Sequence, residues 1–170
     1  MLIASKLIAG GRGLAPAIVR RAAVVELDWD TRQKSRFEAI DSTGRNISVF
    51  LPRGRIVRGG DVLVAEDGSL VAVTARDQPV LVVTAGDDAG SAPALLRAAY
   101  HLGNRHVPLE VHADRLQLEP DHVLAEMLAR MGLGVEESVG PFEPEAGAYD
   151  TASSGHGHDH AHGHAHETSR

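Results

Sequence analysis

The chain has no cysteine among its 170 residues. That excludes disulfides, thiolate metal sites and cysteine nucleophiles, and it leaves imidazole and carboxylate as the available metal ligands. It also suits a reducing cytoplasm. Aromatic residues are scarce, with one Trp, two Tyr and three Phe, so any core must be aliphatic. No run approaches the ~18 uninterrupted apolar residues of a membrane span. The opening MLIASKLIAGG makes a poor signal peptide, because Lys6 interrupts its apolar stretch. A soluble, cytoplasmic protein with no membrane partner is expected. There is no dense basic face with aromatic platforms, so nucleic acid is not an expected partner. There is no HExxH, no compact histidine-carboxylate set and no visible nucleophile-base pair, so catalytic turnover is not expected.

The residues that are present suggest an α+β chain with a small all-β domain first. Residues 1–76 read as short strands separated by turn clusters. Asp41-Ser42-Thr43-Gly44 precedes Ile47–Leu51, Arg58-Gly59-Gly60-Asp61 precedes Val62-Leu63-Val64, and Asp67-Gly68 precedes Leu70–Val73. Such punctuation predicts a small barrel or sandwich. Arg76-Asp77-Gln78-Pro79 reads as a boundary. Residues 79–149 then read as a second domain. Val80–Val83 is a buried strand. Ser91 is a helix N-cap, Leu95, Leu96, Ala99 and Leu102 form the helix face, and Gly103 is its C-cap. Val107, Leu109 and Val111 alternate with His106, Pro108, Glu110 and His112 as in a strand. A short strand follows at Leu116 and Leu118. A helix opens at Pro120-Asp121 with Leu124, Met127, Leu128 and Met131 inward, Gly132 ends it, and Val135 and Val139 bracket a last strand. This strand, helix, strand, strand, helix, strand order predicts a ferredoxin-like βαββαβ domain. Residues 140–150 read as an extended arm. Residues 150–170 form a His-rich tail too polar to offset its ordering entropy, and therefore disordered.

The charge is uneven. Residues 1–78 carry 12 basic and 9 acidic side chains, whereas residues 79–149 carry 4 and 11. Two modules with different partners, or ordinary surface variation, would each produce this.

Histidine carries the strongest chemical signal. His156, His158, His160, His162, His164 and His166 alternate with Gly, Asp and Ala. Neutral imidazole binds Ni, Cu and Zn, and a flexible chain can gather several imidazoles around one ion. An interrupted pattern followed by Glu167-Thr168-Ser169-Arg170 does not resemble an engineered tag. His106 stands alone at the start of the expected strand and opposes its apolar side. It is either a hydrogen-bonded structural residue or a ligand that needs a partner from elsewhere. His112, six residues on at ~3.3 Å per residue, is too far along that strand to share an ion with it. His101 and His112 read as surface residues. His122, in a first helical turn, is equally an auxiliary ligand or a surface residue.

The segments LDWDTRQKSRF, RGGDVLV, YHLGNRHVP, DHVLAEML and PFEPEAGAY, in this order before a His-rich end, resemble the UreE urease accessory protein family, the nickel metallochaperones. The resemblance spans nearly the whole chain. It implies an N-terminal domain like a peptide-binding chaperone module and a ferredoxin-like domain that binds metal and forms a homodimer. It implies delivery of Ni(2+) to apo-urease together with the other accessory proteins, including the GTPase, with Zn(2+) or Cu(2+) able to bind as well. By the same resemblance His106 is the interface nickel ligand, His122 an auxiliary metal histidine, and the tail histidines accessory sites. Pro120 stands where some members carry a second histidine, which weakens the His122 site. The alternative function is a His-rich metal buffer, for which the tail alone would suffice.

Overall fold

The computed structural model describes residues 1–86 and 91–146. The side chains of Ser91 and Ala92 are outside that set, and so are the expected Ser91 cap and the whole His-rich tail.

The first sheet has six strands: β1 (Leu2–Ile8), β2 (Ala23–Leu27), β3 (Arg36–Ile40), β4 (Asn46–Phe50), β5 (Val62–Ala65) and β6 (Leu70–Ala75), in the order β2-β6-β5-β1-β4-β3. Two pairings are parallel, β1 with β4 and β2 with β6, and the rest are antiparallel. The sheet curls until its margins meet. The Ser42 amide, just past β3, donates to the Val24 carbonyl of β2 at 2.7 Å. The enclosed core is aliphatic, as the shortage of aromatics requires, and includes Ala4, Val25, Ile47, Val49, Leu63 and Val71.

Two of these strands were not legible beforehand. β1 hides in an apolar N-terminal stretch, and β3 starts at the last two residues of the mixed-polarity LDWDTRQKSRF segment. Within that segment a one-turn helix, α2 (Trp29–Arg32), is started by Asp28, whose carboxylate accepts from the Thr31 amide at 2.9 Å. A second short helix, α1 (Pro16–Val19), lies between β1 and β2.

The second sheet contains β7 (Gln78–Ala85), β8 (Glu110–Val111), β9 (Arg115–Leu118) and β10 (Leu133–Gly140), all antiparallel, in the order β10-β7-β9-β8. With α3 (Ser91–Gly103) and α4 (His122–Arg130), this is the ferredoxin-like βαββαβ arrangement. The α4 start is as expected, with the Asp121 carboxylate accepting from the Val123 and Leu124 amides. Gly132 beyond its end has φ +80°. The α3 face needs correcting. Leu95, Ala98 and Leu102 point inward, whereas Leu96 is 70% exposed. The strand expected from His106 shrinks to Glu110–Val111.

A third, smaller core joins the two sheets. Trp29 from the first part, Val80 from β7 and Phe142 from the arm are all buried together. Phe142 meets Trp29 edge-on with ring centres 6.1 Å apart. Arg32 is fully buried beside them. It ion-pairs with Glu143, donates to the Phe142 carbonyl and lies over the Trp29 ring. Arg58 covers the same ring at 5.1 Å. The arm, which the sequence presents as an irregular Pro-rich stretch, is therefore a clamp with a buried anchor.

Glu143→Ala should destabilise the chain by about 2–3 kcal/mol in urea melts, because Arg32 would keep its charge without its carboxylate. The value is set below the ~3–5 kcal/mol of a fully enclosed pair since Glu143 is partly exposed. A change under about 0.5 kcal/mol would refute the clamp.

Asp41 at the β3–β4 turn supplies a pH signature. Burial works to raise its pKa, but hydrogen bonds from the Thr43 hydroxyl, the Arg45 and Thr43 amides and the Arg45 guanidinium outweigh it and hold the carboxyl at about 2, below the ordinary 3.8. Its stabilisation is complete above the unfolded pKa and is lost as pH falls from about 4 through about 2. Asp41→Asn should flatten that part of the pH–stability curve.

Candidate metal-presenting site

Helix α3 does not stop at Gly103 in the expected way. The His106 amide donates to the Gly103 carbonyl at 2.9 Å, and the Val107 amide to the Leu102 carbonyl at 3.2 Å. These two bonds define a Schellman cap in which His106 is the left-handed residue. Its φ is +57°, the only positive φ of a non-glycine among the described residues. The apolar contact that accompanies such caps is also present, since Val107 packs in the same core cluster as Leu102. The sequence carried a signal for this. With Gly103 as the left-handed residue, the next position would be Asn104, which has no apolar contact to make. With His106 there, the next is Val107, and then Pro108.

The result is an imidazole held out from the protein. His106 is exposed, while Val107 and Leu109 are half-buried against the core. The expectation that His106 faces away from the apolar side holds, although a helix cap and not a strand puts it there. Leu96 and Tyr100, one turn apart on α3, are 70% and 67% exposed. They make an apolar stripe on the helix that ends in this cap.

The other histidines do not converge on it. His101 sits in the last turn of α3 with its ring edge against Tyr100, 5.5 Å between centres. His112 lies 3.0 Å from the Glu110 carboxylate, whose other oxygen accepts the Glu143 amide at 2.7 Å. His112 is thus half-buried beside the carboxylate that holds the arm, and not the free surface residue expected. His122 is the first residue of α4 and is exposed. Among the described residues no group of three or more His, Asp or Glu side chains is arranged to hold a metal ion. His156, His158, His160, His162, His164 and His166 lie outside the described residues.

A curled six-stranded sheet clamped to a ferredoxin-like sheet, with a lone imidazole exposed at a helix end, defines a two-domain α+β protein. Family models sharpen this. The N-terminal domain of the UreE urease accessory protein matches residues 4–76, and its C-terminal domain matches residues 78–168. The urease accessory protein UreE of Methylibium petroleiphilum is 68% identical over 154 residues, 91% of this chain and 71% of that protein. The one from Albidiferax ferrireducens is 64% identical over 92% of this chain and 90% of that protein. The one from Polaromonas naphthalenivorans is 63% identical over 92% and 75%. The chain belongs to the UreE urease accessory protein family. No helix among its described residues is long and apolar enough to cross a membrane.

Left-handed backbone costs a residue with a Cβ about 1 kcal/mol and costs glycine little. His106→Gly should therefore raise stability by about 0.5–1 kcal/mol in urea melts while removing the imidazole. A loss of stability would show that the imidazole has a structural partner.

Proposed function

We propose that this chain is a cytoplasmic nickel metallochaperone, without catalytic activity, that donates Ni(2+) to apo-urease in company with the other urease accessory proteins, including the GTPase. Residues 79–149 act as the metal-binding and dimerising part, residues 1–76 as the part that docks a partner, and residues 150–170 as a collector of ions. The observation that carries this reading is the exposed His106 imidazole on a left-handed cap. A residue whose backbone would suit glycine better, with its ring in solvent, is retained at a stability cost that points to a task for the ring.

A single imidazole holds a transition ion weakly, and among the described residues no other side chain joins it to complete a metal site. A two-fold axis would bring His106 from a second chain alongside, so that one histidine per chain becomes a pair. The exposed Leu96 and Tyr100 stripe gives that homodimer an apolar contact close in sequence to the ligand. Water, His122 or tail histidines would complete the coordination. An open, incompletely protein-ligated site releases its ion more readily than a closed one, which suits delivery. Zn(2+) and Cu(2+) would compete, since imidazole affinity favours copper over nickel.

Two outcomes are expected. A chain ending at Tyr149 should bind fewer nickel ions in equilibrium dialysis yet keep one per dimer. The ions lost are those whose binding weakens as pH falls through ~6.5, where free imidazole protonates. In that shortened chain His106→Ala should fold normally, lose the remaining ion and fail to support urease activation in a strain lacking the native accessory protein. Unchanged nickel affinity would remove His106 from the mechanism. Retention of nickel with no transfer to apo-urease would favour a metal buffer.

A further inference from the structure

An unpaired sheet edge presents backbone donors and acceptors at every second residue. The second sheet has two edges. The arm covers the one at β8, where the Glu145 amide donates to the Leu109 carbonyl at 2.8 Å and the Glu143 amide to the Glu110 carboxylate at 2.7 Å. The other edge is β10. It pairs with β7 in unbroken register from Leu133 to Gly140, and among the described residues no strand lies on its outer side. The first sheet leaves no bare edge of that length among the described residues. Its margins meet at Ser42 and Val24, and β1 lacks a neighbour only beyond Ala4, where it parts from β4 at a fork.

The side chains of β10 say what such an edge can accept. Leu133 and Val135 pack in the core with α3 and α4. By alternation Glu137 and Val139 lie on that same face, and Gly134, Glu136 and Ser138 on the opposite one. All four residues from Glu136 to Val139 are exposed, Val139 to 70%. Neither glutamate has an ion-pair partner among the described residues. Edges are commonly blunted by lysine, proline, a bulge or shortness. This one has eight residues, no lysine, no proline and no break in register. Its charges are of one sign, one glutamate on each face. Pairing with a second copy of β10 centred on either glutamate would set glutamate against glutamate, which is destabilising. A cationic strand meets the opposite condition, and the 11 acidic against 4 basic side chains of residues 79–149 favour its approach.

We propose that the outer edge of β10 takes up an extended cationic segment of a partner protein as a fifth strand of the second sheet. Main-chain hydrogen bonds would hold the segment, and its side chains would select it. Run antiparallel to β10, it carries an apolar residue opposite Val139, any residue opposite Ser138, and then two successive Lys or Arg residues opposite Glu137 and Glu136. The two must be adjacent, because neighbouring residues of a strand point to opposite faces and each face of β10 carries one glutamate. No histidine belongs to this edge, so its occupancy can be tested apart from metal binding.

The probe is a blocked peptide, Val-Thr-Lys-Arg-Val-Thr, added to the full chain while amide hydrogen exchange is followed by NMR. Exchange should slow at alternate amides of Leu133–Gly140, the ones that face outward. Glu136→Lys/Glu137→Lys should weaken binding at least ~10-fold, since two attractive cross-strand pairs become repulsive. The same peptide with Glu-Glu in place of Lys-Arg should bind that variant and not the native chain, which also shows the variant to be folded. Glu136→Gln/Glu137→Gln, closer in shape to the native side chains, should lose part of the affinity. No slowing in β10 of the native chain, slowing confined to other strands, or unchanged affinity in the glutamine variant would each overturn the proposal. So would a lysine variant that the Glu-Glu peptide does not bind while its own spectrum is that of a folded chain.

Discussion

Arg32 carries a full positive charge in a place water does not reach, and the junction of the two sheets is built around answering it. Burial lowers the guanidinium pKa from its ordinary value, while the Glu143 carboxylate opposes that shift. Glu143 and the Phe142 carbonyl lie more than a hundred residues away in sequence, so the charge is satisfied only when the C-terminal arm is in place. The same act buries Phe142 against Trp29 and Val80. Glu143 also accepts the Gly59 amide, and its own amide reaches Glu110 of β8. One short arm therefore ties the loop before β5, the helix after β2 and the edge of the second sheet into a single arrangement. An unpaired guanidinium is a larger penalty than a missing apolar contact, and this couples the folding of the two parts.

That coupling bears on what each part can do. A ferredoxin-like sheet covers one face with two helices, and Ala94, Leu95, Ala98, Ala99 and Leu102 of α3 are consumed in doing so. The apolar Leu96 and Tyr100 stay exposed, as does His106 in the cap. The cap that exposes His106 is held by two backbone hydrogen bonds and the Val107 contact, not by any partner of the ring itself. A change at the ring is therefore separated from what holds the cap together. In the proposed function this divides what maintains the structure from what would touch the ion.

The first sheet shows a similar division. Its interior is closed and aliphatic, but the fork between β1 and β4 leaves an open edge and an apolar groove. The groove is lined by Leu7, Ile8, Leu51 and Ile56, and Arg58 beside them is bound to the Pro144 carbonyl and to Glu143 of the arm.

Much of the architecture was legible in the residues because its causes are local. Turn clusters at Asp41–Gly44, Arg58–Asp61 and Asp67–Gly68 set the later strands of the first sheet. The continuous apolar run at Val80–Val83 and the cap at Asp121 set the second. The absence of cysteine and the six alternating histidines narrowed the metal chemistry before any coordinates. β1 and β3 escaped because a strand's pairing partners lie far off: Leu2–Ile8 does not alternate, and Arg36–Ile40 alternates but is only five residues long. The α3 face was misread at Leu96 because helical spacing shows which residues share a stripe but not which stripe meets the sheet. His106 was identified as a candidate by its isolation, yet its role as a left-handed cap depends on Val107 packing against Leu102, a contact that exists only after the helix docks. The buried charge of Arg32 is the clearest case. Within LDWDTRQKSRF it is one of three basic residues with nothing to set it apart, and only the return of the chain at Glu143 decides that it is the one to be buried.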